Sequence, residues 1–134
     1  MSIEAVRTYF RPLGRETDIL EFSESSATVE LAAQAVGVIP ARIAKSLSFL
    51  TPEGCVLIIA AGDAKVDNSK YKHHFGVKAK MLTPEQVVEY TGHAIGGVCP
   101  FAISRPDVRI YLDISLQRFD TVFPAAGSAN SAIE

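Results

Sequence analysis

Two neighbouring stretches, IAKSLSFL (residues 43–50) and CVLIIAA (residues 55–61), decide the fold of this 134-residue chain. In the first stretch, large apolar residues recur at every second position, which is the side-chain period of a β-strand. The second stretch is a continuous apolar run, which is typical of a strand covered on both faces. We therefore predict a strand over residues 43–50 and a second strand over residues 55–61.

Helix and strand signals alternate before these two strands. Apolar residues at helical spacing predict an N-terminal helix that starts after Ser2 and ends near residues 12–14. A short strand is expected over residues 17–22. Thr28 can cap the next helix, and Gly37 can terminate that helix in the left-handed conformation.

The same alternation continues after the two strands. Asp67 or Asn68 can cap a short helix that ends at Gly76. The sequence TPEQ (residues 83–86) is a capping box with proline at the first helical position, and this helix is expected to end at Gly92. The remaining predicted extended segments are residues 77–82, 108–112, 121–126 and 131–134.

This order of elements predicts a single mixed α/β domain over residues 1–134. The mass of 14.4 kDa fits one domain, and 48% hydrophobic with 21% charged residues argues against disorder, collagen and coiled coil. Because the chain stops on what resembles a strand, we expect that a C-terminal helix is absent from it.

Composition also indicates the cellular compartment of the protein and excludes some kinds of binding partner. Two cysteines without secretory context indicate reduced thiols in a cytoplasmic protein. The apolar run over residues 56–61 is far shorter than the ~20 residues of a membrane helix, so no membrane association is expected. The histidines and cysteines lack zinc spacing, so we expect no metal and no cofactor. A formal net charge of −2 excludes a wholly basic nucleic-acid binder but allows a local basic face.

Charge is distributed unevenly along the chain. Residues 16–41 contain five acidic residues and neither lysine nor arginine, whereas residues 65–80 contain five lysines. Such asymmetry is typical either of a phosphate-facing surface or of a solvated helix with its loops, and composition leaves both open. The five residues of this lysine segment are Lys65, Lys70, Lys72, Lys78 and Lys80.

Lys45 is the first residue with unusual surroundings. It shares one face of the predicted strand with Ile43, Leu47 and Phe49, so that face is expected to point inward. A partly buried ammonium is costly unless an anion or a carbonyl pairs with it. Lys45 is therefore either an edge lysine that reaches solvent or an orienting group held in a cleft.

The loop HAIGGVCPF (residues 93–101) is the second candidate feature. Its two glycines allow a close approach of the backbone to a ligand, so that N–H groups could form an oxyanion hole. A plain turn is the alternative interpretation. Cys99 with His93 as base would suit a cysteine nucleophile, but a small, semi-buried cysteine that lines the loop is the favoured interpretation, and Cys55 is expected in the core.

A third segment, PAAGSANS (residues 124–131), is rich in small residues and is expected to pack closely against a strand or a substrate. Together with residues 28–49, 62–67 and 96–100 it resembles one family in order and spacing. From about residue 17 to residue 134 the chain is similar to the YbaK/ProRS-associated domain family of aminoacyl-tRNA deacylases.

This resemblance implies a compact fold with a mixed, barrel-like β-sheet flanked by helices. It implies hydrolysis of mischarged aminoacyl-tRNA in trans, on tRNA-Pro or a similar tRNA. The functional lysine of the family corresponds to Lys45. The other implied substrate-binding residues are Gly96, Gly97, Val98, Cys99, Pro100, Gly127 and Ser128. Many relatives carry serine at position 99 and continue into a helix after position 134.

The residues fit ester hydrolysis through a tetrahedral oxyanion. N–H groups of residues 96–99 would stabilise it, each by about 3–4 kcal/mol. Lys45 would hold the ester carbonyl or the terminal adenosine, and the lysine segment would contact tRNA phosphates. No residue is identified as a general base, so water positioned by the backbone and a substrate hydroxyl is the expected attacker.

Two other functions stay open at the level of sequence. One is a module that binds a nucleotide or a tRNA end without turnover, and the other is a hydrolase that depends on Cys99. The sequence names neither the amino acid nor the tRNA, because an apolar pocket separates side chains differing by one methylene by only about 1–3 kcal/mol. It leaves the oligomeric state undetermined.

Overall fold

The structure is a computed structural model that describes residues 2–134. Its helices are α1 (Ser2–Phe10), α2 (Val29–Val36), α3 (Asn68–Phe75) and α4 (Pro84–Thr91). Its strands are β1 (Leu20–Glu21), β2 (Ile43–Thr51), β3 (Gly54–Ala61), β4 (Val108–Leu112), β5 (Phe123–Pro124) and β6 (Ser131–Ala132). Within the described residues, no helix has both the length and the apolar character needed to span a bilayer.

The strands form a mixed, curled sheet. Four of them lie in the order β4-β3-β2-β5, with β2 and β3 antiparallel and the outer two pairs parallel. Strands β1 and β6 form a separate antiparallel ribbon, which a bridge between Ala125 and Ala132 joins to the end of β5. The predicted mixed, barrel-like sheet flanked by helices is confirmed as a half-barrel with four helices.

The sequence signals for the helices and long strands are confirmed. The Thr28 and Asp67 side chains accept hydrogen bonds from the first turns of α2 and α3, and α4 begins with the complete Thr83–Gln86 capping box. Strand β3 is buried on both faces, as its continuous apolar run predicts. Helix α1 ends at Phe10, and a 3₁₀ turn over Arg11–Leu13 extends it to the predicted end.

Several predicted extended segments are shorter in the structure. The prediction of a strand over residues 77–82 is wrong: Met81 alone forms a bridge, to Phe49. After Met81 the pairing is limited by α4, which begins at Pro84, and residues 77–80 before it form no strand. The segments predicted at residues 17–22, 121–126 and 131–134 contain two-residue strands. The first of them opens with a 3₁₀ turn, Glu16–Asp18.

Strand β2 is covered on both faces, whereas the sequence predicted one inward face. Ile43 packs with Ala32, Ala33 and Phe123 on the face toward α2. Ala44 packs with a different apolar cluster on the opposite face, together with Leu57 and Ile59 of β3. Because both faces of β2 are covered, a ligand can approach this strand only at few positions. The unpaired positions along its edge are therefore the candidates for ligand binding.

Candidate functional site

The edge of β2 opposite β3 is interrupted in its middle. Pairing with β5 ends at Ala44, and the bridge to Met81 begins at Phe49. Between these contacts, no strand of the described part of the chain pairs with residues 45–47. Because the peptide groups of a strand point alternately to its two edges, those of Ser46 face this gap, on the side where the Leu50 N–H donates to Lys80.

A cavity of about 280 Å³ lies at this gap. Its walls come from the start of α2, from β2, from α4, from the loop after α4 and from β5 and β6. The lining is mostly apolar but contains five hydroxyl side chains, and it contains no Asp or Glu among the residues that the structure describes. The five hydroxyl residues are Ser26, Thr28, Ser46, Ser48 and Ser131.

Lys45 reaches the cavity from β2 and is half-buried. Its ammonium group donates to the carbonyl of Gly62, at 3.2 Å, and to the carbonyl of Ala64. Gly62 itself packs closely against the turn before β2, since a Cβ at position 62 would lie 2.1 Å from the Pro40 carbonyl oxygen. Of the two sequence-based alternatives for Lys45, the structure therefore has the cleft lysine, paired with backbone carbonyls rather than extended into solvent.

A second, more open cavity of about 340 Å³ adjoins the first. The two cavities share Lys45 and Met81, and the second is lined further by Leu47, Phe49 and Lys65. Lys45 therefore stands where the two cavities meet. A ligand that occupied both would place one end beside the apolar wall and the other beside the start of the lysine segment.

All five lysines of the lysine segment have exposed side chains, and the first of them, Lys65, lines the second cavity. Lys65 precedes α3, Lys70 and Lys72 belong to α3, and Lys78 and Lys80 lie in the segment between α3 and α4. The structure thus brings part of the predicted basic face next to Lys45.

The glycine loop after α4 contributes two of the predicted residues to the cavity, Gly96 and Val98. Gly97 lies behind them, and its N–H donates to the Ala94 carbonyl at 3.0 Å. A Cβ at Gly97 would lie 2.6 Å from the Ser128 nitrogen, so the two small-residue loops are in direct backbone contact. Gly97 can therefore support the cavity wall, while its own N–H is already engaged.

Four other predicted residues, Cys99, Pro100, Gly127 and Ser128, lie outside the cavity lining. Cys99 is fully buried in an apolar cluster with α1 residues, and burial raises the pKa of its thiol to about 12. The Ser128 hydroxyl contacts the hydroxyl of Ser131, 2.6 Å away. Gly127 accepts a hydrogen bond from Ser2. Cys99, Gly127 and Ser128 therefore contact other residues of the chain and do not line the first cavity.

His93 ties the two ends of the glycine loop together. Its imidazole is fully buried, and Nε2 donates to the Phe101 carbonyl at 2.8 Å, with the Cys99 Sγ 3.5 Å away. Burial lowers the pKa of His93, so the ring is neutral at physiological pH. With Nε2 protonated and Cys99 held as a thiol, this pair has the contacts of a structural element rather than of an activated nucleophile.

Sequence reasoning missed the hydroxyls of Ser26 and Ser46. Both oxygens are buried and have no hydrogen-bond partner within residues 2–134, and both residues line the first cavity. Serine is too common to stand out in a sequence. The available signal was the alternation of β2, which places Ser46 and Ser48 on the same strand face.

Comparison with known proteins identifies the family. The model of the aminoacyl-tRNA editing domain matches residues 23–134. The chain belongs to the aminoacyl-tRNA editing domain family. The resemblance drawn from the sequence is thereby confirmed, and aminoacyl-tRNA is the substrate class that this family implies.

Relatives of the editing domain include both free-standing proteins and parts of synthetases. The chain is 60% identical to the Bacillus subtilis protein YwhH, over all of this chain and 85% of that protein. It is 31% identical to a proline–tRNA ligase of Thermotoga sp. over 67% of this chain, which is 15% of the ligase. It is also 31% identical to the Escherichia coli Ser/Thr-tRNA deacylase ProXp-y, over 58% of this chain and 47% of that protein.

Solved structures support the same assignment. A crystal structure described as a candidate trans-editing enzyme for prolyl-tRNA synthetase aligns with a TM-score of 0.87 and 33% identity, covering 98% of this chain and 83% of that one. The structure of the protein APE2540 aligns with a TM-score of 0.83 and 26% identity, covering 96% of this chain and 86% of its own. The editing-domain fold therefore extends over nearly the whole chain.

Proposed function

We propose that this editing domain hydrolyses the ester of a mischarged aminoacyl-tRNA in trans, on tRNA-Pro or a similar tRNA. The observation that carries the proposal is the position of Lys45. Its ammonium group lies at the junction of two cavities and is held there by hydrogen bonds to two backbone carbonyls. A cation held in this way is preorganised for an oxygen-rich ligand, at little cost in side-chain entropy on binding.

In the proposed complex the two cavities divide the substrate. The aminoacyl group occupies the 280 Å³ cavity, and the terminal adenosine lies across the more open one. Lys45 then faces the ester carbonyl or an oxygen of the terminal nucleotide. The family implies aminoacyl-tRNA as substrate, and the similarity to a proline–tRNA ligase and to the structure of a candidate trans-editing enzyme favours tRNA-Pro.

The hydrolysis needs water as its only co-reactant. Water attacks the ester carbonyl carbon, and the resulting tetrahedral intermediate collapses with cleavage of the bond to the ribose oxygen. The products are a free amino acid and tRNA with its ribose hydroxyl restored. No side chain is assigned as general base, so the ribose hydroxyl next to the ester positions the water.

Gly96 and Val98 are the residues of the glycine loop best placed to support the oxyanion, because both line the cavity. Their N–H groups form no backbone hydrogen bond within residues 2–134. Gly97 packs against Ser128, and Gly127 packs against the start of α1. We assign these residues, with Cys99 and Pro100, to support of the loop rather than to contact with the substrate. A good donor to the oxyanion contributes about 3–4 kcal/mol to stabilisation of the transition state.

The experiment that tests the proposal is deacylation of a panel of mischarged tRNAs. We expect release of at least one of Ala, Ser, Thr, Cys and 2-aminobutyrate from tRNA-Pro, and no release from correctly charged prolyl-tRNA. Retained tRNA binding without release of any amino acid would contradict hydrolysis and favour a binding module. Loss of activity on thiol alkylation would favour the Cys99 hydrolase, which the burial of that thiol argues against.

A further inference from the structure

The turn that holds Lys45 carries a carboxylate of its own. Gly62 and Ala64, whose carbonyls accept hydrogen bonds from the Lys45 ammonium, lie on either side of Asp63. A carboxylate is a stronger partner for an ammonium than a backbone carbonyl is, because the hydrogen bond then joins opposite charges. None of the ion pairs within residues 2–134 includes Lys45, however. The structure therefore keeps the Asp63 carboxylate away from this ammonium.

Arg118 binds both carboxylate oxygens of Asp63. Its Nη1 donates to Oδ2 at 3.0 Å, and its Nη2 donates to Oδ1 at 2.6 Å. This bidentate geometry uses the planar fork of the guanidinium and fixes the orientation of the carboxylate. The hydrogen bond from Arg118 is the largest cause of the lowered pKa of Asp63, and the Lys45 ammonium contributes to the same shift through space. Asp63 is thus within electrostatic reach of Lys45 but is paired with another cation.

We propose that Arg118 is a positioning residue for deacylation: by engaging Asp63, it keeps the Lys45 ammonium free for a substrate oxygen. This inference rests on the proposed function, in which Lys45 faces the ester carbonyl or an oxygen of the terminal nucleotide. The ammonium has three N–H donors, and two of them bind the Gly62 and Ala64 carbonyls, so one remains for the substrate. A carboxylate on that third donor would compete with the substrate and repel a developing oxyanion.

Arg118 is itself held in place by the 3₁₀ turn Ile114–Arg118, which follows β4. Its Nε donates to the Ser115 carbonyl at 3.0 Å. The Ser115 hydroxyl accepts from the Ala61 N–H at 3.0 Å, at the end of β3 and directly before the turn that binds Lys45. The guanidinium is therefore anchored to the same segment of chain that it is proposed to control.

Stability is a weaker explanation for the ion pair between Arg118 and Asp63. The two side chains are 47% and 48% exposed, and exposed ion pairs contribute little to the free energy of unfolding. We therefore expect Arg118→Ala to unfold at nearly the wild-type temperature. Its effect should appear at Lys45 instead.

The test compares kcat/KM of the wild type, Arg118→Ala, Asp63→Asn and the double variant on the mischarged tRNA that the wild type hydrolyses best. Arg118→Ala leaves Asp63 free to pair with Lys45 and should lower kcat/KM by about two- to fivefold, the strength of one exposed ion pair. Asp63→Asn removes the competing charge and should lower kcat/KM less than Arg118→Ala does. The double variant should recover the activity of Asp63→Asn, because both proteins lack the competing carboxylate.

Arg105→Ala is the matched control, since Arg105 forms a similar bidentate pair with Asp107, at 2.9 and 2.7 Å. That pair lies at the start of β3, where the Asp107 carbonyl accepts from the Cys55 N–H, whereas Lys45 pairs with Ala60 near the other end of the strand. Arg105→Ala should leave kcat/KM unchanged. Thermal unfolding of every variant separates lower activity from loss of folded protein.

Reductive methylation of lysine amines, measured by peptide mass spectrometry, reports on Lys45 without any turnover. A carboxylate that pairs with a lysine favours the protonated amine, which does not react. Lys45 should therefore be labelled more slowly in Arg118→Ala than in the wild type, and the double variant should be labelled at the rate of Asp63→Asn. Lys72, an exposed residue of α3, is the reference within each protein.

The outcomes distinguish this inference from the function on which it rests. If the wild type hydrolyses no mischarged tRNA, the proposed function fails, while the labelling rates still decide whether Arg118 keeps Asp63 from Lys45. If tRNA is hydrolysed but Arg118→Ala and Asp63→Asn lose the same activity and the double variant recovers none, the ion pair only supports the turn and the inference is wrong. Equal labelling of Lys45 in the wild type and in Arg118→Ala would overturn it as well.

Discussion

Lys45 is the residue whose surroundings constrain the proposed chemistry most. Its ammonium is held by the carbonyls of Gly62 and Ala64, next to both cavities. Ala64 lines the second cavity, so removal of this side chain would leave the Ala64 carbonyl accessible to water, and we expect the fold to tolerate the change.

We expect Lys45→Ala to retain the fold and to lose at least about tenfold in deacylation, which corresponds to about 1.4 kcal/mol of transition-state stabilisation. The measurement is kcat/KM on the mischarged tRNA that the wild type hydrolyses best. Arg15→Ala, which removes an exposed positive charge outside the lysine segment, is the control for a general loss of positive charge. Near-normal activity of Lys45→Ala in a folded protein would show that this lysine has only a structural role.

Cys99 provides the complementary prediction at the residue scale. It is fully buried and its thiol pKa is raised to about 12, so it is protonated at neutral pH and a poor nucleophile. Cys99→Ser and Cys99→Ala should both keep most of the activity of the wild type. Cys55→Ala is the matched control, because Cys55 is equally buried in a different apolar cluster.

The truncation to alanine leaves a small cavity, and thermal unfolding should show the modest destabilisation that such cavities cause. A Cys99→Ala protein that is folded but inactive would disprove the prediction. So would an acyl-enzyme trapped on the Cys99 sulfur, detected by mass spectrometry of the intact protein.

The loop after α4 carries the prediction at the scale of elements, because its ends meet through His93 and Phe101. His93 Nδ1 is buried without a partner in the described residues, so a second proton there would add an uncompensated charge. Burial accordingly lowers the pKa of His93 in the folded protein, and the unfolded chain binds this proton first on acidification.

The contribution of the neutral, buried His93 to the stability of the folded protein is therefore complete above about pH 6.5, the ordinary pKa of histidine. It is lost as the pH falls below that value. We expect the free energy of unfolding to fall as the pH drops below about 6.5, by at most about 1.4 kcal/mol per pH unit. His93→Gln should flatten this dependence, whereas His73→Gln, at an exposed position of α3, should retain it. Equal slopes in wild type and His93→Gln, from urea unfolding at each pH, would refute the assignment.

At the scale of the whole molecule, the acidic and basic residues are separated along the chain, and the lysine segment begins at the second cavity, which Lys65 lines. Arg118 and Arg105, by contrast, are engaged in ion pairs with Asp63 and Asp107. The lysines are therefore the better candidates for phosphate contacts, which supply affinity without base specificity.

We expect neutralisation of Lys65, Lys78 and Lys80 to weaken binding by a similar factor for every tRNA. The slope of log affinity against log salt should become shallower by roughly 0.7–0.9 per lost contact. Hydrolysis of a small aminoacyl ester, which does not reach these side chains, should change little. The control is the corresponding triple variant in which Arg105, Arg109 and Arg118 are neutralised. An unchanged salt slope in the lysine variant would show that the tRNA binds to another surface.

Local signals in the sequence predicted most of the elements, because those signals act over a few residues. The caps at Thr28, Asp67 and Thr83 and the two long strands depend on hydrogen bonds and side-chain periods within one element. The order of short motifs also predicted the family, and the family resemblance in turn predicted the mixed, barrel-like sheet. The strand over residues 77–82 failed because pairing there depends on a partner edge, which a single segment does not reveal.

The sequence by itself determined that Lys45 lies on a strand among apolar residues and needs a partner for its charge. Only the tertiary structure decided that the partners are the carbonyls of Gly62 and Ala64, 17 and 19 residues further along the chain. It also decided that Gly96 and Val98 line the first cavity, as Ser26 and Ser46 do, while Cys99 faces the core. The physical reason is that burial and pairing at a site are set by contacts between elements distant in sequence, whereas propensity and capping are set within one element.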